Sequence, residues 1–164
     1  MVLTMGSTSS IEARPQQLAS AHRSVGAAIN GVLVCGMYFP STNRAIRNFW
    51  RDEFVPLARS LTGEAALFIG DFNSGKNFVD EERSVLTGGP HMLELESLGW
   101  VDAWRSLHPD GREYTFASWK KNGFRVDHAW LSPPLGPRLR AAWHSHRERH
   151  ERLSDHSALT VDLE

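Results

Sequence analysis

Two β-favouring runs, Val25–Ile29 and Val32–Tyr38, are joined by Asn30-Gly31 alone. A two-residue connection of this type supplies the positive φ angles of a tight hairpin turn, which ties the two runs together as antiparallel neighbours. The next forty residues set the class. Ile46, Trp50, Phe54, Leu57 and Leu61 recur at steps of four and three, one apolar face of a helix. Pro56 lies inside that pattern and predicts a kink or a split. Gly63 ends the helix, and Ala65–Ile69 is a short apolar run ending at Gly70, the pattern of a buried strand. A hairpin, a helix and a buried strand in succession predict a mixed α/β unit.

The second half is richer in strands. Asp71–Gly89 reads as a long polar loop, and Pro90–Leu98 as a short helix with proline in its first turn and Gly99 closing it. Strands are predicted at Trp100–Trp104, Tyr114–Ser118, Phe124–Leu131, Leu139–His144 and Ser157–Leu163. Residues 1–24 are weakly patterned, with a loop over Ser7–Ser10 and Pro15 interrupting any helix around it. No linker or repeat divides the remainder, so 25–164 reads as one unit.

Composition narrows the function classes. The chain has 164 residues, 41% hydrophobic and 23% charged, with six Trp, which is enough for a core of one domain. No run approaches the ~18 apolar residues of a membrane span, and no signal-peptide pattern opens the chain. Cys35 is the single cysteine, so there is no internal disulfide; this fits a reducing compartment, and a cytoplasmic location is expected. Eighteen Lys and Arg against 19 Asp and Glu give a net charge of −1 and no hint of a polyanionic partner.

Polar groups gather at predicted strand ends. Gly70-Asp71-Phe72-Asn73 comes directly after the buried strand. Asp71 and Asn73 project to one side of an extended backbone, although Asp-x-Asn also reads as an Asx turn. Arg125-Val126-Asp127-His128 places a charge between apolar residues of a strand, where Asp127 needs a partner, for which Arg125 on the same face is one reading. Ser154-Asp155-His156-Ser157 precedes the last strand; adjacent Asp and His point apart in extended backbone and enter a site separately. Together these residues are a set that holds a hard divalent cation through oxygen ligands and activates water, or else three polar turns.

In their order and approximate spacing these three motifs resemble those of the endonuclease/exonuclease/phosphatase superfamily. Tyr38-Phe39-Pro40 and Tyr114-Thr115-Phe116 are similar to further segments of its exonuclease III and abasic-site endonuclease branch. The resemblance implies a DNase I-like fold, two β-sheets packed as a sandwich and flanked by helices, of which this chain resembles the later part. It implies a divalent-metal-dependent phosphodiester hydrolase, a nuclease acting on DNA in repair, with Mg2+ or Mn2+ as cofactor. A phosphatase or phospholipid phosphodiesterase of the same superfamily, or an inactive fragment, are the alternatives.

The resemblance also implies roles by position. Asp71 orients or deprotonates the attacking water, or protonates the leaving group; Asn73 holds a phosphate oxygen or a metal ligand. Asp155 coordinates the metal, His156 faces the scissile phosphate, and Asp127 holds the His156 ring. Tyr38 contacts the phosphate, with Arg44 as a further substrate contact. Phe116 and Phe124 align with the walls of a sugar pocket, although strand-core packing is the favoured reading for Phe124. Trp119, with Lys120 and Lys121, stacks on a nucleic-acid strand or forms an exposed loop cluster.

Two features of the family are missing: a strand with an Asn near the site, and a strand with a metal-binding Glu. None of Glu12, Glu53, Glu64, Glu81 and Glu82 stands in that Glu's context, and Ser41 replaces an Asn common after Tyr-x-Pro. Weakened metal binding, an uncovered sheet face and self-association through it are therefore expected. Arg138–Arg152 holds five Arg, two Glu and His144, His146 and His150. It reads first as a solvated basic connection, then as a phosphate-steering strip; without a cysteine it is a poor zinc site.

Overall fold

The structure is a computed structural model of the full chain, describing residues 11–14, 18–83 and 85–164. The loop expected over Ser7–Ser10 and the helix-breaking Pro15 lie outside the described residues. Within the first 24 residues, β1 (Ile11–Ala13) adds an edge strand, and Leu18 is buried.

The hairpin forms as its turn dictates. β2 (Ser24–Ile29) and β3 (Val32–Tyr38) pair antiparallel through Asn30 and Gly31, with φ of 50° and 79°. α1 (Asn43–Phe49) continues through a wide turn, Trp50–Phe54, into α2 (Val55–Ser60). That turn replaces the expected kink. The Val55 N–H reaches back five residues to Trp50 O, so the helix widens just before the Pro56 ring instead of breaking on it.

β4 (Ala66–Asp71) runs parallel to β3, and with the later strands Val101–Asp102 (β5) and Asp127–Leu131 (β8) the main sheet has the order β1-β2-β3-β4-β8-β5. α3 (Gly89–Ser97) comes after the long loop. The strand expected over Trp100–Trp104 is shorter: β5 (Val101–Asp102) gives way to α4 (Ala103–Leu107), because the Asp102 carboxylate accepts from the Arg105 N–H and caps a helix. β6 (Phe116–Ala117) and β7 (Gly123–Phe124) form a small separate hairpin. β8 (Asp127–Leu131) is buried throughout. The strand expected over Phe124–Leu131 therefore breaks at Arg125-Val126.

Arg125 explains the break. Its guanidinium is 1% exposed and sits between Asp80, at 2.9 Å, and Asp102, at 2.8 Å. Asp127 is not its partner, contrary to the same-face reading. The Asp102 carboxylate also meets His128 Nδ1 at 3.2 Å, and His128 Nε2 meets Ser74 O at 2.9 Å. A buried ionic knot thus joins the long loop, β5 and β8.

β9 (Leu139–Ser145), α5 (Arg147–His150) and β10 (Ala158–Leu163) complete the chain, β9 and β10 forming a two-stranded second layer. Two cores result. One packs α1, α2 and α3 on the sheet around Phe39, Trp50, Phe54, Phe68 and Phe72. The other lies between the sheet and β9–β10, around Val34, Leu67, Ile69, Ala129 and Leu131. In the second, Leu159, Val161 and Leu163 of β10 stay only partly buried. Among the described residues no helix is long and apolar enough to cross a membrane.

Candidate active site

The sheet register brings the motifs together. Tyr38 at the end of β3 lies opposite Asp71 at the end of β4, and Asp71 lies opposite Asp127 at the start of β8. Directly paired residues share a face, so a hydroxyl and two carboxylates line up across three adjacent strands. Gly70 makes the alignment feasible. Its φ is 146°, and a Cβ there would stand 2.1 Å from Met37 O, so a side chain would push β3 and β4 apart beside Asp71.

His156 arrives from the other layer, in the turn before β10. Its Nδ1 lies 2.8 Å from Asp127 Oδ2. An ionised carboxylate only accepts, so Nδ1 carries the proton and Nε2 is the nitrogen turned away from Asp127. The hydrogen bond to Asp127 raises the His156 pKa above 6.5, against the opposing effect of burial. The Phe116 ring lies 5.0 Å from the imidazole and flanks its face.

Asp71 is under tension. Burial pushes its pKa up to about 6; the Asn73 N–H pulls it down, and the Asp127 charge pushes it further up. Asn73, in a left-handed conformation with φ 46°, donates its N–H to Asp71 Oδ1 at 2.8 Å and its Nδ2 to Oδ2 at 3.0 Å. The tetrapeptide is therefore an Asx turn, and the Asn73 side chain folds back onto the Asp71 carboxylate instead of projecting beside it from an extended backbone. The second Nδ2 hydrogen goes to Phe39 O at 3.2 Å, which leaves the Asn73 side-chain oxygen as its remaining polar group.

Asp71, Asp127 and His156 each offer a ligand atom, all within 4.8 Å of one another. Asp127 is committed to His156, so Asp71 is the carboxylate left for a cation. That arrangement fits a hard divalent ion, which typically takes one or two protein carboxylates and completes its shell with water and substrate oxygens. A cation would also relieve the cost of burying the Asp71 charge.

These groups line a cleft of about 890 Å³ between the main sheet and β10. Tyr38, Asp71, Asp127 and His156 border it with Arg23 and Glu148. Sequence reasoning missed Arg23. Its guanidinium lies 5.6 Å from the Tyr38 ring centre and donates to Tyr38 O at 3.3 Å. Among the described residues no carboxylate pairs with it. Its only signal was a lone Arg at the start of the hairpin, in a segment with no apolar pattern.

The remaining expected site residues fall elsewhere. Asp155 is exposed next to His156 and lies outside the three-residue group. Arg44 is exposed on the first turn of α1, and Ser41 is exposed before it. Phe124 is half-buried, its ring 6.4 Å from Phe116 rather than packed in a core. Trp119 is 87% exposed at the tip of the β6–β7 hairpin, with Lys120 Nζ 5.0 Å above its ring. Two of the five Arg of the basic strip meet carboxylates, Arg140 with Glu164 and Arg147 with Glu151. Of its histidines, His146 lies between Ser157 and Glu113 with the His150 ring 6.1 Å away, and His144 stands apart against Trp104.

Residues 8–156 match the sequence profile of the Endonuclease/Exonuclease/phosphatase family. The chain belongs to that family. Solved structures agree on the fold. The 3′ phosphatase NExo from Neisseria, bound to a product DNA hairpin, superposes with a TM-score of 0.78 at 21% identity, over 96% of this chain and 72% of the other. The 3′-5′ exonuclease NExo from Neisseria meningitidis gives 0.77 at 20% identity, with the same coverage. An AP endonuclease from Archaeoglobus fulgidus gives 0.75 at 20% identity, over 93% of this chain and 72% of the other. No curated protein matches the chain in sequence. The family thus contains nucleases and phosphatases, hydrolases of phosphoester bonds, and the fold is the mixed α/β, DNase I-like one expected from the motifs.

Proposed function

We propose that this family member hydrolyses phosphodiesters in DNA with the help of a divalent cation, Mg2+ or Mn2+. The observation that carries the proposal is the Asp127–His156 pair, 2.8 Å apart, facing Asp71 across the mouth of one cleft.

Asp71 takes a proton from the attacking water. A carboxyl buried until its pKa approaches 6 is a stronger base than an exposed one and is still ionised at neutral pH. Asn73 fixes the direction of that carboxylate through its two hydrogen bonds. Asp127 fixes the His156 ring and favours its protonated form, so Nε2–H faces a non-bridging phosphate oxygen, where charge develops. The Tyr38 hydroxyl and the Arg23 guanidinium bind the same phosphate from the sheet side. When bound, a divalent cation neutralises charge on the phosphate oxygens. Asp71 would hold the cation through one carboxylate oxygen and leave the other for the proton, and exposed Asp155 would add an outer negative charge. The Phe116 and Phe124 rings offer an apolar wall to a sugar, while Trp119 and Arg44 are more distant contacts to the strand.

A phosphatase reading competes, because a net charge of −1 gives the surface little general attraction for a polyanion. The test is a panel of three substrates with Mg2+ or Mn2+: an abasic duplex, a duplex ending in a 3′ phosphate and a small phosphomonoester. Nicking of the abasic duplex, lost in His156→Ala, is the expected result. Turnover confined to the monoester would replace the nuclease reading with the phosphatase one.

A further inference from the structure

The most exposed apolar side chains among the described residues are Trp119 at 87%, Phe78 at 81% and Val85 at 80%. All three lie in two segments, the loop that begins at Asn73 and the β6–β7 hairpin, whose Phe116 flanks His156. Phe78 is the odd one. Its φ is 66°, a left-handed conformation that a bulky side chain rarely adopts, and the result is an aromatic ring presented to solvent. The loop is braced in that shape. The Phe78 N–H donates to Glu81 Oε1 at 2.8 Å, and Arg112 Nη2 donates to Phe78 O at 3.0 Å.

The two loops are fastened together. Glu81 bridges to Phe124; the Glu82 N–H donates to Gly123 O at 3.1 Å, and the Gly123 N–H donates to Glu82 Oε2 at 3.2 Å. The hairpin is also rooted in the site, since Phe116 bridges to His156. Outward from His156 come the Phe116 ring at 5.0 Å and the Phe124 ring 6.4 Å beyond it; Phe78 stands on the loop fastened to this hairpin, and Trp119 at the hairpin's tip. Arg112, Lys120 and Lys121 accompany them, and among the described residues no carboxylate pairs with any of the three.

We infer that these loops form a docking surface for an unpaired nucleic-acid strand leading to or from the cleft. Its bases stack on Phe78 and Trp119, and its phosphates meet Arg112, Lys120 and Lys121. Rings beside unpaired cations suit a partner that alternates flat apolar faces with regular negative charge. This role rests on the nucleic-acid reading of the cleft but needs no hydrolysis.

The test is fluorescence anisotropy of a labelled single-stranded oligonucleotide with the full chain in EDTA, where nothing is cleaved. Wild type binds; Phe78→Ala and Trp119→Ala each weaken binding about tenfold. Phe78→Trp, which keeps a ring, retains it. Leu93→Ala, at an exposed apolar position on α3, leaves binding unchanged. Circular dichroism checks that each variant is folded. No binding by wild type, or equal affinity across the variants, overturns the proposal. So does Phe78-dependent binding to anionic vesicles with none to the oligonucleotide. A wild type that binds the strand but hydrolyses no phosphoester ends the hydrolase reading and leaves this surface standing.

Discussion

Asp71 shows how function and stability oppose each other at one residue. Its folded pKa, about 6, stands above the ordinary 3.8. The folded state therefore prefers the neutral carboxyl, and the associated stability is full below pH 3.8 and lost as pH rises to about 6. At pH 7 the charge is a cost. Asp71→Asn removes it and is expected to stabilise the cation-free protein by about 1–2 kcal/mol, less than the full shift implies because the cleft is open to solvent. A higher Tm at pH 7, with the gain vanishing near pH 4, is the expected thermal-melt result. An unchanged Tm at both pH values would show that the carboxylate is not strained. Gly-Asp-Phe-Asn and Ser-Asp-His-Ser were legible as site motifs because the chemistry resides in the residue types themselves. For Asp127, local alternation alone pointed to Arg125, whereas the resemblance pointed to His156, which the second layer brings to it at 2.8 Å.

At the scale of elements, apolar period and turn chemistry carried the hairpin, the long helix, β4 and α3, since each rests on neighbours in sequence. Errors cluster where distant residues decide. Trp100–Trp104 has the composition of a strand, yet Asp102 caps a helix and is held by Arg125, 23 residues away. Phe124–Leu131 alternates like one strand, yet Arg125 leaves the sheet to meet Asp80, 45 residues away. That knot also supports the site, for it fixes the loop after Asn73 and the strand that starts at Asp127. Arg125→Ala would leave Asp102 buried without its guanidinium and Asp80 with Arg105 alone. A loss of about 3–5 kcal/mol in urea unfolding is expected. A loss below about 1 kcal/mol would mean that water reaches the two carboxylates.

Over the whole molecule, the site exists only where two layers meet. The main sheet supplies Tyr38, Asp71 and Asp127; the β9–β10 layer supplies His156; and the small hairpin closes the flank with Phe116. This is how a chain of nearly balanced charge brings two carboxylates and an imidazole within 4.8 Å of one another in one cleft. It also leaves Leu159, Val161 and Leu163 of β10 only partly buried, with Leu159 lining the cleft. If Asp127 and His156 act with Asp71 on a phosphate in this cleft, removing the imidazole must remove the chemistry. The most direct test is the initial rate of phosphodiester hydrolysis against divalent-cation concentration, for wild type and His156→Ala. A cation-dependent rate is expected for wild type, with a loss of at least about 100-fold in the variant. A variant that hydrolyses as fast as wild type, with the same cation dependence, would contradict that role.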